Sequence, residues 1–317
     1  MNLFIDTNVY LSFFHFSKDS LTELEKVFVL QQYGKLDLWL TDQVETEFRR
    51  NREVKIADAL KRFLEERPSS GVPQMAQTYP ECEQLLDALK RVTTAKEKLL
   101  SRLQMDIAAR SLYADKLIDT IFKKAKRVSQ SEKQIAAAER RALLRNPPGK
   151  NNSLGDAINW EALLEAIPNG EDLFLVSEDG DFASAIDPER MSDFLIDEWA
   201  ANKKAKVLVS KRLSQFLSAQ FPEPKVAAEL EKEILIKDLA NSGTFARTHQ
   251  LIARLQRFKE FTPKQASDLV DAYITNAQIH WIPSDPDVQA FGRCIEKEHG
   301  GSLDPNQLKA FLGVLSK

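Results

Sequence analysis

The sequence predicts an α/β protein built on a parallel sheet, with a long helical insertion and an all-α C-terminal part. Short apolar runs alternate with amphipathic stretches over the first 221 residues, the rhythm of a parallel α/β sheet. Residues 82–144 contain neither Pro nor Gly, which is typical of long helices. From residue 226 onward the pattern is almost entirely helical.

Composition places the chain among folded globular proteins. Of its 317 residues, 43% are hydrophobic and 29% charged, and Gly and Pro are few, which excludes collagen-like, low-complexity and wholly disordered classes. Cys82 and Cys294 lie too far apart for a zinc motif or a disulfide framework. Neither a signal peptide nor a long apolar span is found, so we expect no membrane segment and a cytoplasmic location.

Two strand-helix pairs open the chain. The apolar run at residues 2–5 is too short for a helix and ends in polar residues, which predicts a buried strand. An amphipathic stretch at 21–33 predicts a helix, and residues 36–40 predict the second strand. A helix capped by Thr41 or Asp42 should follow.

The α/β pattern is interrupted and then resumes. We expect residues 82–145 to form a helical hairpin broken near 128–131, ended by the turn-rich segment 146–149. Ser153 can cap a helix over 154–166, and the apolar run 173–176 predicts the third strand.

One more strand completes the predicted sheet. Helices at 193–202 and 211–221 flank a strand at 206–209, and Phe221-Pro-Glu-Pro224 then indicates a boundary. We therefore predict one domain over 1–221 and a second over 226–317, a bundle of four or five helices.

Opposite charges occupy neighbouring stretches. Residues 116–150 carry ten Lys or Arg against three acids, and residues 151–200 carry thirteen acids against one Arg. Cations attract phosphate and clustered carboxylates attract divalent ions, so this arrangement suits a polyanion held against a metal pocket. Two solvated helix faces would give the same pattern.

Acidic residues recur at or just beyond the carboxyl ends of the predicted strands, or on the adjoining helices. They are Asp6, Glu47, Asp156, Asp179 and Asp181. The carboxyl ends of parallel strands form the crevice where ligands bind, so we expect these side chains to converge. Clustered carboxylates repel one another unless a cation neutralises them, and an all-oxygen set favours Mg²⁺ or Mn²⁺ over zinc. The chemistry this supports is metal-assisted hydrolysis of a phosphodiester.

Four motifs together resemble the PIN-domain nucleases. They are Asp6-Thr7-Asn8, Val44-x-x-Glu47-Phe48, Gly155-Asp156-Ala157-Ile158 and Ser177-x-Asp179-x-Asp181-Phe182. Residues 146–150, Asn-Pro-Pro-Gly-Lys, are similar to a bacterial PIN subgroup with a long helical insertion. The resemblance covers about residues 1–221 and does not extend to the C-terminal part.

The resemblance implies a metal-dependent endoribonuclease with an α/β/α sandwich core. Asp6, Glu47, Asp156 and Asp179 would be the catalytic acids that bind Mg²⁺ or Mn²⁺, and Asp181 would contact the metal through water. Asn8 and Ser177 would be supporting polar residues. The long insertion is absent from compact toxin-type members, so the resemblance does not extend to a toxin paired with an antitoxin.

Each acid also has a structural interpretation. Asp6 could cap the following turn, and Asp179 or Asp181 could be a turn residue around Gly180. Asp156 could complement a helix dipole. Glu45 competes with Glu47, but a capping box explains Glu45 and leaves Glu47 for the site.

The basic stretch offers candidate contacts to a nucleic-acid backbone. Its cations are Lys123, Lys124, Lys126, Arg127, Arg140, Arg141, Arg145 and Lys150. As a group they could bind phosphates without sequence preference, whereas individually they fit an exposed helix face. The histidines show no ligand spacing.

The leading hypothesis is a nuclease that cleaves single-stranded RNA. A structure-specific DNA nuclease shares the same carboxylate chemistry, and a non-catalytic RNA-binding or scaffold protein on a PIN fold is the alternative outside enzymes. A phosphatase with an aspartyl nucleophile would need a second Asp where Asn8 stands. The C-terminal helices could bind a protein partner or a second copy of the chain.

Overall fold

The computed structural model describes residues 1–65, 71–149, 154–222, 224–258 and 260–316. The chain divides into two compact units. The first comprises Met1–Leu24 and Tyr33–Phe216, and the second comprises Glu25–Gln32 and Leu217–Lys317.

The first unit is built on a five-stranded sheet in the order β3-β2-β1-β4-β5, and every neighbouring pair is parallel. The strands are β1 (Asn2–Ile5), β2 (Asp37–Thr41), β3 (Lys126–Val128), β4 (Leu173–Val176) and β5 (Val207–Ser210). The predicted α/β class with a parallel sheet is confirmed.

The central strands are apolar because both of their faces are covered. All four residues of β1 are buried, and Phe4 pairs with Trp39 on one side and Leu175 on the other. A strand buried on both faces is a continuous apolar run, which is why β1 and β4 could be predicted from the sequence.

Helices separate and follow these strands. They are α1 (Thr7–Ser12), α2 (Leu21–Gln32), α3 (Asp42–Glu65), α4 (Pro80–Ala108), α5 (Tyr113–Lys124), α6 (Glu132–Leu143), α7 (Leu154–Ala166), α8 (Asp193–Lys203) and α9 (Leu213–Gln220), with a 3₁₀ turn at Gln74–Ala76. Residues 25–32 of α2 and 217–220 of α9 belong to the second unit. Helix α7 packs against β2, β3, α3, α6 and α8. Trp160 of α7 and Trp199 of α8 are fully buried with ring centroids 5.5 Å apart, so both tryptophans belong to the core.

The insertion differs from the predicted helical hairpin. It contains α4, α5 and α6, and β3 lies at the predicted break and pairs with the edge of β2. An additional break follows α4, where Arg110 adopts a left-handed backbone with φ 51°. The sequence hides β3 because Lys126 and Arg127 are exposed and only Val128 is buried.

The second unit is helical and has its own core. Its helices are α10 (Pro224–Ala240), α11 (Phe245–Leu255), α12 (Pro263–Thr275), α13 (Ala277–Trp281), α14 (Pro286–His299) and α15 (Pro305–Leu315), with a 3₁₀ turn at Gly300–Ser302. The predicted four or five helices were too few because Asn276 ends α12 and caps α13. Leu251, Leu269, Phe291 and Phe311 lie in the core. The described helices include none with the length and hydrophobicity needed to cross a bilayer.

Candidate active site

The acidic positions lie around the point where the strand order reverses. From β1 the sheet continues through β2 to β3 on one side, and β4 and β5 lie on the other side of β1. Ligands of open α/β sheets bind outside the carboxyl ends of the strands at such a switch point. The Asp6 amide donates to the Val176 carbonyl at 2.9 Å, so the ends of β1 and β4 are held side by side there.

Asp6 is buried and makes contacts with two elements. Its Oδ1 accepts a hydrogen bond from the Thr7 amide at 2.6 Å, and its Oδ2 accepts one from the Ser177 hydroxyl at 2.6 Å. The cap interpretation of Asp6 therefore describes one of its oxygens. The other oxygen is held by the residue that follows β4.

Ser177 also orients the loop that carries the next two acids. Its Oγ accepts a hydrogen bond from the Asp179 amide at 3.1 Å, and Asp179 Oδ1 accepts one from the Asp181 amide at 3.1 Å. Asp179 is exposed and takes part in a local turn. Ser177 thus connects Asp6 to the loop that carries Asp179 and Asp181.

Glu47 projects from α3 toward Asp6. Its Oε2 accepts a hydrogen bond from the Thr7 hydroxyl at 3.1 Å, and its Oε1 accepts one from Gln43 Nε2 at 2.8 Å. Arg50 also lies 3.7 Å from Glu47 Oε1, whereas Glu45 forms ion pairs with Arg49 and Arg127. The predicted capping box at Glu45 is wrong, because the Thr41 hydroxyl accepts from the Val44 amide instead.

Asp156 lies in the first turn of α7 and is 9% exposed. Its neighbour Gly155 faces Glu47, and a Cβ built on Gly155 would lie 2.5 Å from Glu47 Oε1. A larger residue at this position would displace the Glu47 carboxylate. The small residue therefore brings Asp156 and Glu47 to the same region.

The electrostatics couple these acids. Burial raises the pKa of Asp6 to about 6, opposed by the hydrogen bonds from Ser177 and Thr7 and assisted by the charges of Glu47 and Asp179. Burial raises the pKa of Asp156 to about 8, and the charges of Asp6, Asp179, Asp181 and Glu47 add to the increase. A carboxylate surrounded by other carboxylates is stabilised by a bound cation.

The donor set has the chemistry of a hard divalent cation. All five acids offer oxygen, and the Oδ1 of Asn8 is buried without a hydrogen-bond partner among the described residues. In the part of the chain that the structure describes, no three His, Cys, Asp or Glu side chains are arranged to hold a metal ion as they stand. The metal-ligand set therefore stays a prediction.

A family model described as a PIN domain matches residues 3–182. The chain belongs to the PIN-domain family. The match contains all five acidic positions, β1 from Leu3 onward, and β2, β3 and β4. No curated protein and no solved structure matches the chain.

PIN domains are generally metal-dependent nucleases, so the basic residues of this PIN domain are candidates for contacts with a nucleic-acid backbone. Lys123 pairs with Asp119 at 2.6 Å, Lys126 with Asp37 at 3.1 Å, and Arg127 with Glu45. The other cations named for backbone contact are exposed or undescribed: Lys124 and Arg145 are exposed, and Lys150 lies outside the described residues. The role of this stretch in nucleic-acid binding stays a prediction.

Arg141 does not belong with the exposed cations of the PIN domain. It is 5% exposed and donates to Glu161 at 2.6 Å, to Glu198 at 2.6 Å and to the Pro147 carbonyl at 2.5 Å. Three acceptors around a buried guanidinium indicate a structural role. Charge counting missed this because it does not separate buried from exposed arginines.

Two polar residues of the PIN domain were missed by sequence reasoning. Thr7 and Gln43 both donate to Glu47. Gln43 stands four positions before Glu47 on α3, a spacing that places both side chains on the same helix face and could have identified it. The contact of Thr7 depends on how α1 packs against α3, which the sequence does not encode locally.

Proposed function

We propose that the protein is a Mg²⁺- or Mn²⁺-dependent endoribonuclease that cleaves single-stranded RNA. Asp6, Glu47, Asp156 and Asp179 would hold the metal, and Asp181 would contact it through water. The cytoplasmic location and a protein partner or second copy at the C-terminal helices stay predictions.

The observation that carries the proposal is the bridge made by Ser177. This buried hydroxyl donates to Asp6 at the end of β1 and accepts from the Asp179 amide beyond β4. Residues 171 positions apart are thus fixed at the carboxyl edge of the sheet. A capping role for Asp6 alone would not require this second contact.

Hydrogen bonds from neighbouring residues fix the orientation of two of the proposed metal-binding carboxylates. Ser177 and the Thr7 amide hold the two oxygens of Asp6 in a fixed plane. Thr7 and Gln43 do the same for Glu47. Partners that orient ligating carboxylates tune metal affinity strongly.

A bound Mg²⁺ or Mn²⁺ would supply water activation and neutralise charge on the leaving oxygen. Asn8 Oδ1 is buried and has no hydrogen-bond partner within the described ranges, so it would accept a hydrogen bond from a water molecule in the site. The burial of Asp156 limits access of bulk water and strengthens every charge interaction around it.

Cleavage assays with the purified full chain test the proposal. Labelled single-stranded RNA, duplex RNA and DNA are incubated with Mg²⁺, Mn²⁺ or EDTA. We expect cleavage of single-stranded RNA only with metal, and its loss in D6N and D156N. E139Q removes an exposed carboxylate from α6 and serves as the matched control that keeps activity.

The outcomes separate the alternatives. Equal cleavage by D6N and the unchanged chain would place the activity elsewhere or in a contaminant. Cleavage of DNA alone would favour the structure-specific DNA nuclease. RNA binding without cleavage under any metal would favour the scaffold.

A further inference from the structure

A cleft of about 440 Å³ opens in the first unit beside the loop that carries Glu178, Asp179 and Asp181. Its lining includes Phe16, Lys18, Lys55, Glu178, Lys211 and Arg212. We call it the basic cleft. It shares no residue with the stretch 116–150 that charge counting singled out.

The basic cleft contains cations that form no ion pair with the described acids. Within the described residues the side chains of Lys18, Lys55 and Arg212 make no hydrogen bond or ion pair. Lys211 pairs with Glu189 at 3.2 Å, and Glu178 has no such partner in the part of the chain that the structure describes. Lys55 lies on α3, Lys18 in the loop after α1, and Arg212 just before α9. The four cations of the cleft outnumber Glu178 and Glu189, so the cleft carries a net positive charge that suits an anion.

The basic cleft is next to the carboxylates. Glu178 lies between Ser177 and Asp179 in the chain, and Ser12, which ends α1, also lines the cleft. Asp6 caps the other end of α1, whose six residues span about 9 Å at ~1.5 Å per residue. That is about three stacked nucleotides at ~3.4 Å each.

An aromatic ring completes the cleft. Phe16 is 55% exposed, and the guanidinium of Arg62 lies 5.3 Å from its ring centroid. Exposed aromatic rings beside cations are how proteins hold single strands without sequence preference, because every base has a face that can stack. A duplex hides its base faces, so the ring favours a single strand.

We propose that the basic cleft binds the sugar-phosphate backbone of single-stranded RNA next to the scissile bond, with one base stacked on Phe16. The inference rests on the proposed endoribonuclease function and names where its substrate lies. The proposal predicts that the RNA runs along the end of α1 and the start of α9, and that it does not run along β3.

Binding measured without cleavage tests the proposal. Anisotropy of a short fluorescein-labelled single-stranded RNA is titrated with the full chain in EDTA, over a series of salt concentrations. We expect K55A/R212A to bind about tenfold more weakly, with a salt slope reduced by ~1.4 for two lost phosphate contacts. K55R/R212K, which keeps both charges, should bind normally.

A matched pair removes two cations elsewhere. Lys35 and Lys206 are exposed and precede β2 and β5, at the edge of the sheet opposite the carboxyl ends. K35A/K206A should leave both affinity and salt slope unchanged. F16A should weaken binding severalfold with the slope unchanged, because stacking releases no counterions.

The results distinguish this proposal from the proposed function. Metal-dependent RNA cleavage by the unchanged chain, together with normal binding by K55A/R212A, would overturn the basic cleft alone. An equal loss in K35A/K206A would also overturn it, since binding would then follow total charge. Absence of both RNA binding and RNA cleavage by the unchanged chain would overturn both.

Discussion

The Ser177 hydroxyl donates to Asp6 Oδ2 at 2.6 Å, and this contact joins the ends of two neighbouring strands through a carboxylate. Both residues are buried, so the hydrogen bond is shielded from solvent. A charge-assisted bond of this kind is stronger than one between neutral groups. It fixes the orientation of Asp6 independently of any ligand.

Replacing Ser177 tests this orientation. S177A should lower metal-dependent cleavage about 10- to 100-fold, the usual effect of losing a partner of a ligating group. The Ser177 hydrogen bond lowers the pKa of Asp6, so its loss should move the acidic limb of the pH-rate profile to higher pH. S184A removes a hydroxyl from the same loop region and should leave the profile in place. An unshifted profile in S177A would contradict the orienting role.

Gly155 should be sensitive to the smallest side chain. The Cβ of G155A would lie 2.5 Å from Glu47 Oε1 and 3.1 Å from Gln43 Nε2, so Glu47 must move. We expect cleavage to fall at least about tenfold, while stability changes by less than ~1 kcal/mol because alanine favours a helix. At Gly180 a Cβ meets nothing within 4 Å, so G180A is the control. Urea denaturation and cleavage rates, measured on the same samples, separate the two effects.

Asp156 should destabilise the metal-free protein at neutral pH. Its pKa is about 8 in the folded chain against 3.8 as reference, so the unfolded state binds fewer protons between these values and stability falls as pH rises. D156N removes that cost and should stabilise the chain in EDTA at pH 8 by on the order of 2 kcal/mol. The gain should shrink as pH falls toward 4. A gain that does not change with pH would point to packing instead of charge.

Metal binding should stabilise the folded chain through the ionised carboxylate of Asp156. Mg²⁺ or Mn²⁺ binds the ionised carboxylates, so its addition should raise the melting temperature more at pH 8 than at pH 5. D156N should lose most of that increase at pH 8. D87N, which removes an exposed carboxylate from α4, should keep it. Scanning calorimetry with and without EDTA measures both, and an equal increase in D156N would exclude Asp156 as a ligand.

Arg141 should matter for stability. R141M leaves Glu161 and Glu198 without their shared guanidinium and should cost about 3 kcal/mol of the free energy of unfolding. R140A, at the exposed neighbouring position, should stay within ~0.5 kcal/mol. Urea denaturation in EDTA compares them. Similar stabilities would mean that Arg141 is no more structural than the surface cations.

Burial on both faces made much of this fold predictable. The runs at 2–5 and 173–176 are strands with those bounds, because a central parallel strand is apolar throughout. The edge strand β3 was missed because two of its three residues are exposed. Its pairing with β2 is a long-range contact that a local pattern does not contain.

In the candidate site, too, local sequence patterns predicted some features, whereas features that depend on tertiary packing were missed. Asp6, Asp156, Asp179 and Asp181 could be proposed from the sequence because each follows a predicted strand or lies in the first turn of a helix, positions that sequence patterns locate well. The Ser177 bridge and the close approach of Gly155 to Glu47 depend on tertiary packing. The burial of Arg141 and the grouping of cations in the basic cleft could not be predicted either, since charge counts contain no information on burial or on tertiary contacts.

The pairing of β3 with β2 limits how far this chain can be trimmed. A shortened chain lacking residues 82–145 would still contain all five acidic positions. It would lose the strand that covers β2 and the helix that packs on α7, and it would present bare backbone amides and carbonyls to other molecules. Such a truncation would be expected to aggregate, so the segment is part of the architecture and not a removable accessory.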